Sequence, residues 1–339
     1  MKARKLPSGS WCARAYSHTD ENGKKIYVPF TAATKAEAEY LANEFKYKKK
    51  RLQQGRNITV SEAITAFIDD RSNVLSPSTI AGYRTIQRNY FPELMKLKIA
   101  DIKQDRVQKA VNKHAQEMSV KTMKNAVGLI TAAVKQYIPD TSFALKYPQK
   151  RKQEATIPTE AEVRQILEET KGTALGAAIL LAVTTGMRRG EICALQRSDI
   201  RDGMVYINKS AVLDENRNTS IKPPKTEAGN RVVPVPKHVV QAIIDLDASD
   251  GSAIGMGLQA LNGRWHRLKD KLGINFRFHD FRHFYASKLL AMGMPDKYIM
   301  RNTGHATLSM LKDRYQHVMQ EKIDEFNQQA VTYFITYLD

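Results

Sequence analysis

Apolar residues recur at helical spacing through most of the segment from residue 58 to residue 138. Its last part places four of them three or four positions apart, on one face of a helix: Met123, Val127, Ile130 and Val134. The same rule predicts four helices: one beginning at Thr59 or Ser61, one at Ser76, and two over residues 102–118 and 120–137. Amphipathic helices in succession must bury their apolar faces against one another, so residues 57–140 are predicted to form a helical module.

Residues 1–56 show a different pattern, in which strand alternation gives way to helical spacing. Ser10–Tyr16 and Ile26–Phe30 alternate and carry aromatic side chains, and the Asn-Gly pair between them favours a hairpin. Lys2–Leu6 is the candidate for a third strand. Thr34 opens a capping box, so a helix is predicted to follow the strands. The first segment is therefore predicted to be a small sheet-plus-helix module.

A stretch without sustained periodicity separates the helical module from the rest of the chain. Residues 141–157 include Pro148 and three consecutive basic residues, which is typical of a linker. Residues 158–339 are predicted to form a larger, mostly helical domain, with its clearest strands over 204–213 and 231–235 and a tail helix at its end. The expected fold class is α+β and mainly helical, with a small antiparallel sheet in the last domain.

Charge limits the partners of this chain. Fifty-three basic and thirty-five acidic residues give a net charge of +18. Residues 1–56 alone hold thirteen basic and five acidic residues, a net charge of +8. A positive field of this size favours nucleic acid as the partner, ahead of a merely soluble basic protein or an anionic membrane surface.

Hydropathy indicates where the protein acts. The longest apolar run, residues 174–183, is half the length of a membrane span, and polar residues follow the first lysines and arginines where a signal peptide needs an apolar core. We therefore expect a cytoplasmic protein with no membrane partner, associated with the nucleoid when it binds DNA.

Cations, imidazoles and a tyrosine are concentrated in four short stretches of the last domain: residues 185–192, 225–234, 279–283 and 304–315. Arginine binds phosphate oxygens bidentately and histidine donates hydrogen bonds or relays protons. Lysine can protonate a leaving alkoxide, and tyrosine can act as an oxygen nucleophile. Arg188 and Glu191 are three residues apart, so we expect them on one helix face, with the carboxylate orienting the guanidinium. This set fits the stabilisation of a phosphoryl transition state.

Metal and nucleotide sites lack their usual patterns. The histidines do not have the spacing of a zinc-binding helix, and Cys12 and Cys193 are too far apart in sequence for a metal or redox motif. No glycine-rich phosphate loop occurs. We expect no metal and no cofactor.

In order and spacing these motifs resemble the tyrosine recombinase family, in its phage-type integrase branch. The motifs are T-G-x-R-x-x-E at 185–191, K-T before R-x-x-P at 225–234, H-x-x-R-H at 279–283, G-H at 304–305 and D-R-Y-x-H at 313–317. The resemblance covers nearly the whole chain, because a basic sheet-plus-helix module, a helical module and a larger catalytic domain follow in the order of that family.

The resemblance implies six catalytic residues with four tasks. Arg188 and Arg282 would clamp the scissile phosphate, His279 and His305 would hydrogen-bond it, Lys225 would protonate the leaving 5′-oxygen, and Tyr315 would attack to form a 3′-phosphotyrosyl link. By the same resemblance Glu191 supports the first arginine. His283 is expected to pack beside the site rather than to react.

Three residues depart from the family pattern. Phe281 and Thr303 stand where leucine is common, and Gly229 stands where the lysine motif usually has serine. Phe281 is expected to keep an apolar core contact. Lys209 and Lys222 are nearby alternatives to Lys225 as the catalytic lysine.

The N-terminal module resembles the arm-site binding domain of integrases that move phages or conjugative elements. The implied function is integration and, with an excisionase or DNA-bending helper, excision of a mobile element by a homotetramer on double-stranded DNA with core and arm sites. The tail helix over residues 320–338 is expected to pack either in its own domain or against a neighbouring protomer. Two alternatives stay open: a catalytically silent DNA-binding regulator with this fold, and a type IB-like topoisomerase.

DNA-contacting residues are proposed in both N-terminal segments. In the sheet-plus-helix module they are Trp11, Arg14 and Tyr27, on the sheet face that would enter a DNA groove. In the helical module they are Lys121 and Lys124. The modules are expected to span residues 1–56 (arm binding), 57–140 (core binding) and 158–339 (catalysis), with the linker over 141–157.

Overall fold

The structure, a computed structural model, describes residues 2–55, 57–149, 157–224, 227–246, 248, 250–304, 328, 331–333 and 335, with the backbone alone for residues 48 and 50–55. Contacts group the chain into two compact units, Met1–Lys152 and Gln153–Asp339. Helices predominate and the sheets are small and antiparallel, which confirms the predicted fold class. The predicted boundary between an arm-binding and a core-binding domain stays a prediction.

The first unit contains three strands and six α-helices in its described residues. They are β1 (Arg4–Lys5), β2 (Trp11–Thr19), β3 (Lys25–Ala32), α1 (Lys35–Gly55), α2 (Val60–Asp69), α3 (Pro77–Asn89), α4 (Pro92–Met95), α5 (Gln104–Lys113) and α6 (Val120–Lys135). The strands form one antiparallel sheet in the order β1-β2-β3, so the predicted third strand is present.

Helix α1 covers one face of this sheet. Ala13 and Ala15 of β2 are buried in one cluster with Ala38 and Ala42 of α1. Successive residues of a strand point to opposite faces, so Arg14 and its cross-strand neighbours lie on the open face. The same alternation places Trp11 with the alanines, where it packs against the core of the module. The expectation that Trp11 shares a face with Arg14 is therefore wrong.

The helical module has its own apolar core. The hydroxyl of Thr59 accepts a hydrogen bond from the Glu62 amide, and the Glu62 carboxylate accepts one from the Thr59 amide, so α2 begins at a complete capping box. Helix α5 is shorter than the predicted span of 102–118. Ile102 is buried beside a 3₁₀ turn over Ile99–Asp101, and its apolar spacing imitates one more helical turn.

Part of the predicted linker packs against the helical module. Phe143, Leu145 and Tyr147 alternate along an extended segment and contact the core of the bundle. The Gln108 side chain accepts a hydrogen bond from the Lys146 amide and donates one to the Lys146 carbonyl oxygen, both at 2.9 Å. The predicted linker start at residue 141 is therefore wrong, because an alternating apolar strip without helical spacing can still cover a core. Residues 150–156 of that linker lie outside the described residues.

The second unit contains seven α-helices and five strands in its described residues. They are α7 (Glu160–Glu169), α8 (Ala174–Thr185), α9 (Arg189–Ala194), β4 (Ile200–Arg201), β5 (Met204–Ile207), β6 (Ser210–Leu213), β7 (Thr219–Lys222), β8 (Arg231–Pro234), α10 (Lys237–Ile244), α11 (Leu258–Leu272), α12 (Asp280–Ala291) and α13 (Asp296–Thr303). β4, β5 and β8 form one antiparallel sheet, and β6 and β7 form a hairpin. The single strand predicted over 204–213 is thus two strands in two sheets. Most of the predicted tail helix lies outside the described residues.

Apolar helix α8 is the centre of this unit. Eight of its twelve residues are buried, and it packs against α7, α10, α11 and α12. It ends at Gly186, whose φ of 64° is in the left-handed region that favours glycine. A Cβ at Gly186 would lie 2.5 Å from Cδ1 of Tyr285, so side-chain packing also requires glycine here.

Gly186→Ala should destabilise the fold more than the same change at Gly273. Gly273 ends α11 with a φ of 65°, but a Cβ there would meet no atom within 4 Å. Gly273→Ala should cost ~1 kcal/mol of left-handed strain, whereas Gly186→Ala adds an overpacking cost of about 1–3 kcal/mol. Denaturant unfolding of the two variants measures the difference, and equal losses would contradict the close packing of Tyr285 on Gly186.

Candidate active site

Arg188 stands at the junction between α8 and α9. It precedes the first residue of α9 in an extended conformation, so it caps the helix rather than lying in it. Glu191 closes the first turn: its Oε2 accepts a hydrogen bond from the Arg188 amide at 2.8 Å, and its Oε1 accepts one from Arg188 Nη1 at 2.7 Å. The expected pairing is present, but its origin is a helix cap and not a shared helix face.

The Arg188 side chain is fixed from a second direction. Its Nη2 donates a hydrogen bond at 2.8 Å to the carbonyl oxygen of Gly304, the residue that ends α13. The side chain nevertheless keeps 39% of its surface exposed. Arg188 is thus oriented by the protein and still open to a ligand.

Arg231 is a buried partner of Glu191 that sequence reasoning did not assign. Its Nη2 lies 2.7 Å from Oε2 of Glu191 and its Nη1 lies 3.1 Å from Oε1, a bidentate ion pair with both side chains at most 4% exposed. Burial raises the pKa of the Glu191 carboxyl, but the hydrogen bonds and charge of Arg231 and Arg188 outweigh it and lower the pKa. The signal was present in the sequence: an arginine begins the otherwise apolar strand Arg-Val-Val-Pro.

Arg282 lies in the first turn of α12 and is almost completely buried, at 1% exposure. Its Nη1 donates a hydrogen bond at 2.7 Å to the carbonyl oxygen of Gly186. Gly186 is two residues before Arg188, so this bond brings the second arginine of the predicted clamp to the junction that holds the first. The structure therefore unites Arg188, Glu191 and Arg282.

His279 precedes α12 and lies beside the two arginines. Its ring contacts the ring of His283 edge to face, with centroids 5.0 Å apart. Part of the residue is exposed to solvent, yet partial burial and then the charges of Arg282 and Arg188 lower the pKa of the imidazole to about 4. His279 is therefore neutral at physiological pH and can donate one hydrogen bond.

Residues next to the His279 ring stabilise the N-terminal end of α12. His283 is buried, and its Nε2 lies 3.9 Å from Oδ1 of the buried Asp280. Asp280 in turn accepts a hydrogen bond from the Arg277 amide at 2.7 Å and pairs with the Arg277 guanidinium. Phe281 fills the core between Trp265 and two phenylalanines, which is the apolar contact expected of it.

Three predicted catalytic residues, Lys225, His305 and Tyr315, lie outside the described residues. A Cβ at the nearby Gly229 would lie 2.4 Å from Cβ of Pro224, so this chain has no room there for the serine of the family pattern. Of the alternative lysines, Lys209 forms an ion pair with Asp199 at 2.8 Å, and Lys222 ends β7.

The candidate DNA-contacting residues lie in the first unit. Arg14 and Tyr27 are exposed on the open face of the N-terminal sheet. Lys121 and Lys124 are exposed on α6, and the Lys124 ammonium lies 5.3 Å from the centroid of the Tyr147 ring. Within the described part of the chain, no helix has the length and apolar character that a membrane crossing requires.

Arg188 and Arg282 meet at the turn that begins at Gly186, and the neutral imidazole of His279 lies beside them. These are the groups that stabilise a phosphoryl transition state, so the site is typical of a phosphoryl-transfer enzyme. Comparison with known proteins agrees. Residues 156–322 match the phage integrase family. A tyrosine recombinase XerC-like protein of Caldanaerobacter subterraneus subsp. tengcongensis is 28% identical, over 89% of this chain and 91% of its own length. An integrase of Streptomyces ambofaciens is 23% identical, over 90% and 89%.

Solved structures share the fold. The Tn1549 transposon integrase in complex with transposon right end DNA has a TM-score of 0.65 at 19% identity, covering 79% of this chain and 99% of its own. A lambda integrase dimer bound to a core site has a TM-score of 0.57 at 17% identity, covering 93% and 94%. In sequence and fold this chain resembles the tyrosine recombinases, and it is a site-specific recombinase of the integrase type.

The titration of His279 tests the electrostatics of the site. In the DNA-free protein its ring should take up a proton near pH 4 rather than at the ordinary ~6.5, because burial and two guanidinium groups disfavour the imidazolium. Since the unfolded chain binds this proton first, His279 contributes stability above pH ~6.5 that is lost as the pH falls toward 4.

The measurement is an NMR pH titration of the ring protons, assigned with a His279→Gln variant. Arg188→Gln removes one of the two charges and should move the midpoint upward. A midpoint near 6.5 in the native protein is incompatible with the environment described for this ring.

Proposed function

We propose that this recombinase integrates and, with a helper protein, excises a mobile DNA element by forming a transient 3′-phosphotyrosyl bond through Tyr315. The observation that carries the proposal is that Arg188 and Arg282 lie together at the Gly186 turn. Glu191 accepts a hydrogen bond from Arg188 and so orients it. Two guanidinium groups in one place can neutralise both non-bridging oxygens of a phosphodiester.

The proposed step is an in-line substitution at phosphorus. Tyr315 loses its phenolic proton to solvent as its oxygen attacks phosphorus, the bond between phosphorus and the 5′-oxygen breaks, and Lys225 gives a proton to the departing oxygen, which leaves as a 5′-hydroxyl. His279 and His305 donate hydrogen bonds to the phosphate. A bound phosphate adds negative charge next to His279, which should raise the pKa of its ring from the value of about 4 in the free protein.

Strand exchange reverses this step with a different strand. The 5′-hydroxyl of a partner strand attacks the tyrosyl ester, restores a phosphodiester and releases Tyr315. The ester conserves the energy of the original bond, so the exchange needs no ATP and no metal ion. One site serves one strand, so two duplexes require four protomers; lambda integrase has been solved as a tetramer bound to a Holliday junction, which supports this assembly.

The first unit is proposed to bind DNA through two surfaces. The open sheet face with Arg14 and Tyr27 would contact an arm site, and the exposed lysines of α6 would contact the core site. The charge of the chain supports this role, because each lysine or arginine that meets a phosphate releases a counterion.

Covalent capture tests the reaction. The native protein, mixed in EDTA with a nicked duplex carrying the attachment site of its element, should yield a protein–DNA adduct that survives denaturation. Tyr315→Phe should bind the same duplex and give no adduct, because it lacks the attacking oxygen. Gel electrophoresis of labelled DNA in denaturant measures both.

Two other outcomes of the covalent-capture experiment would favour the two alternative functions. Binding without an adduct from the native protein would favour the silent regulator. An adduct that forms on any sequence, with relaxation of supercoils and no joining of paired sites, would favour the topoisomerase.

Salt dependence tests the sheet face. Arg14→Ala should weaken arm-site binding and reduce the magnitude of the slope of log affinity against log salt by ~1, the value for one lost phosphate contact. Lys35→Ala is the matched control, since Lys35 is exposed near the Trp11 ring, on the helix-covered side. Fluorescence anisotropy at several salt concentrations measures both variants, and equal slopes for the two would remove the open face from the proposed arm contact.

A further inference from the structure

Arg231 holds together the elements that carry the proposed catalytic groups. Besides its two bonds to Glu191, its Nε donates to the Asn302 carbonyl oxygen at 2.7 Å and its Nη1 donates to the Gly229 carbonyl oxygen at 3.2 Å. Gly229 is four residues after Lys225, and Asn302 is three residues before His305. One buried guanidinium thus contacts α9, the segment that precedes β8, and the end of α13.

The packing around Arg231 leaves little freedom. A Cβ on Gly304 would lie 3.2 Å from Arg231 Nη1 and 2.8 Å from the Ala228 carbonyl oxygen, so only glycine fits between them. Gly304 has a φ of 64° and its carbonyl oxygen accepts the second bond of Arg188. Of the two residues that fix Arg188, Glu191 bonds directly to Arg231, and Gly304 lies so near Arg231 that a Cβ would crowd its guanidinium.

We infer that Arg231 is a positioning residue for phosphate capture: it fixes Glu191 and the Gly304 turn, and through them the guanidinium of Arg188. All three of its guanidinium nitrogens already donate hydrogen bonds to oxygens of the protein, so Arg231 acts through these partners and not on the phosphate. Its planar fork is required, because a lysine ammonium cannot bond both oxygens of Glu191 and the two carbonyl oxygens in the same geometry. This inference rests on the proposed phosphoryl transfer.

The test variant is Arg231→Lys, which keeps the positive charge but replaces the planar guanidinium by an ammonium group. Single-turnover cleavage of a nicked attachment-site duplex, with protein in excess, should slow by about 10- to 100-fold, since a small displacement of a phosphate-binding group has this effect on the rate. The affinity for the duplex should stay within twofold of that of the native protein. Arg201→Lys is the control: Arg201 is an exposed arginine in the same sheet, stacked on Tyr206, and its replacement should leave both quantities unchanged.

A second substrate distinguishes a positioning role of Arg231 from a folding defect of the Arg231→Lys variant. Replacing one non-bridging oxygen of the scissile phosphate by methyl removes the negative charge that Arg188 is proposed to bind. On this neutral substrate Arg231→Lys should fall within threefold of the native rate, whereas a folding defect slows both substrates alike. The thermal unfolding midpoint of the Arg231→Lys variant is measured together with its cleavage rates.

The outcomes distinguish this inference from the proposed function. If the native protein forms no adduct, the phosphoryl-transfer proposal fails. If the native protein reacts and Arg231→Lys reacts equally fast, or is slowed equally on both substrates, Arg231 does not position the phosphate clamp.

Discussion

The Glu191 carboxylate is the interaction on which the candidate site depends. It is buried, and it accepts hydrogen bonds from Arg231, from the Arg188 side chain and from the Arg188 amide. A buried carboxylate without partners would be protonated or would destabilise the fold, and removing one partner of such a pair costs roughly 3–5 kcal/mol. The two arginines keep the carboxylate ionised, and the carboxylate fixes the two arginines.

The rest of the site is built from chain ends and backbone oxygens. Arg188 caps α9 and His279 precedes α12. The carbonyl oxygen of Gly186 accepts a hydrogen bond from Arg282, and that of Gly304 accepts one from Arg188. Both glycines adopt left-handed conformations at helix ends, which turn these carbonyl oxygens toward the site. Partial burial, and after it the positive charges of Arg282 and Arg188, lower the pKa of His279, and a bound phosphate would offset those charges.

Local patterns predicted the elements well where they were long and regular. The helices α2, α3 and α6 and the strands β2 and β3 follow from their spacing and caps. The pattern misled where burial did not require a regular element. Ile102 packs beside a 3₁₀ turn and Phe143, Leu145 and Tyr147 pack in an extended strip, and apolar spacing alone cannot distinguish these from a helix or a linker.

The sequence by itself determined the resemblance to the tyrosine recombinases, because that depends on the types and spacing of residues such as Arg188, Glu191 and Arg282. It also predicted the order of the modules and the residues of the proposed clamp. Only the tertiary structure decided how they are held. Arg231 reaches Glu191 from a strand 40 positions away, and Arg282 reaches Gly186 across 96 positions. Such partners are chosen by the packing of α8, α12, α13 and the sheet around a common core, which no local spacing encodes.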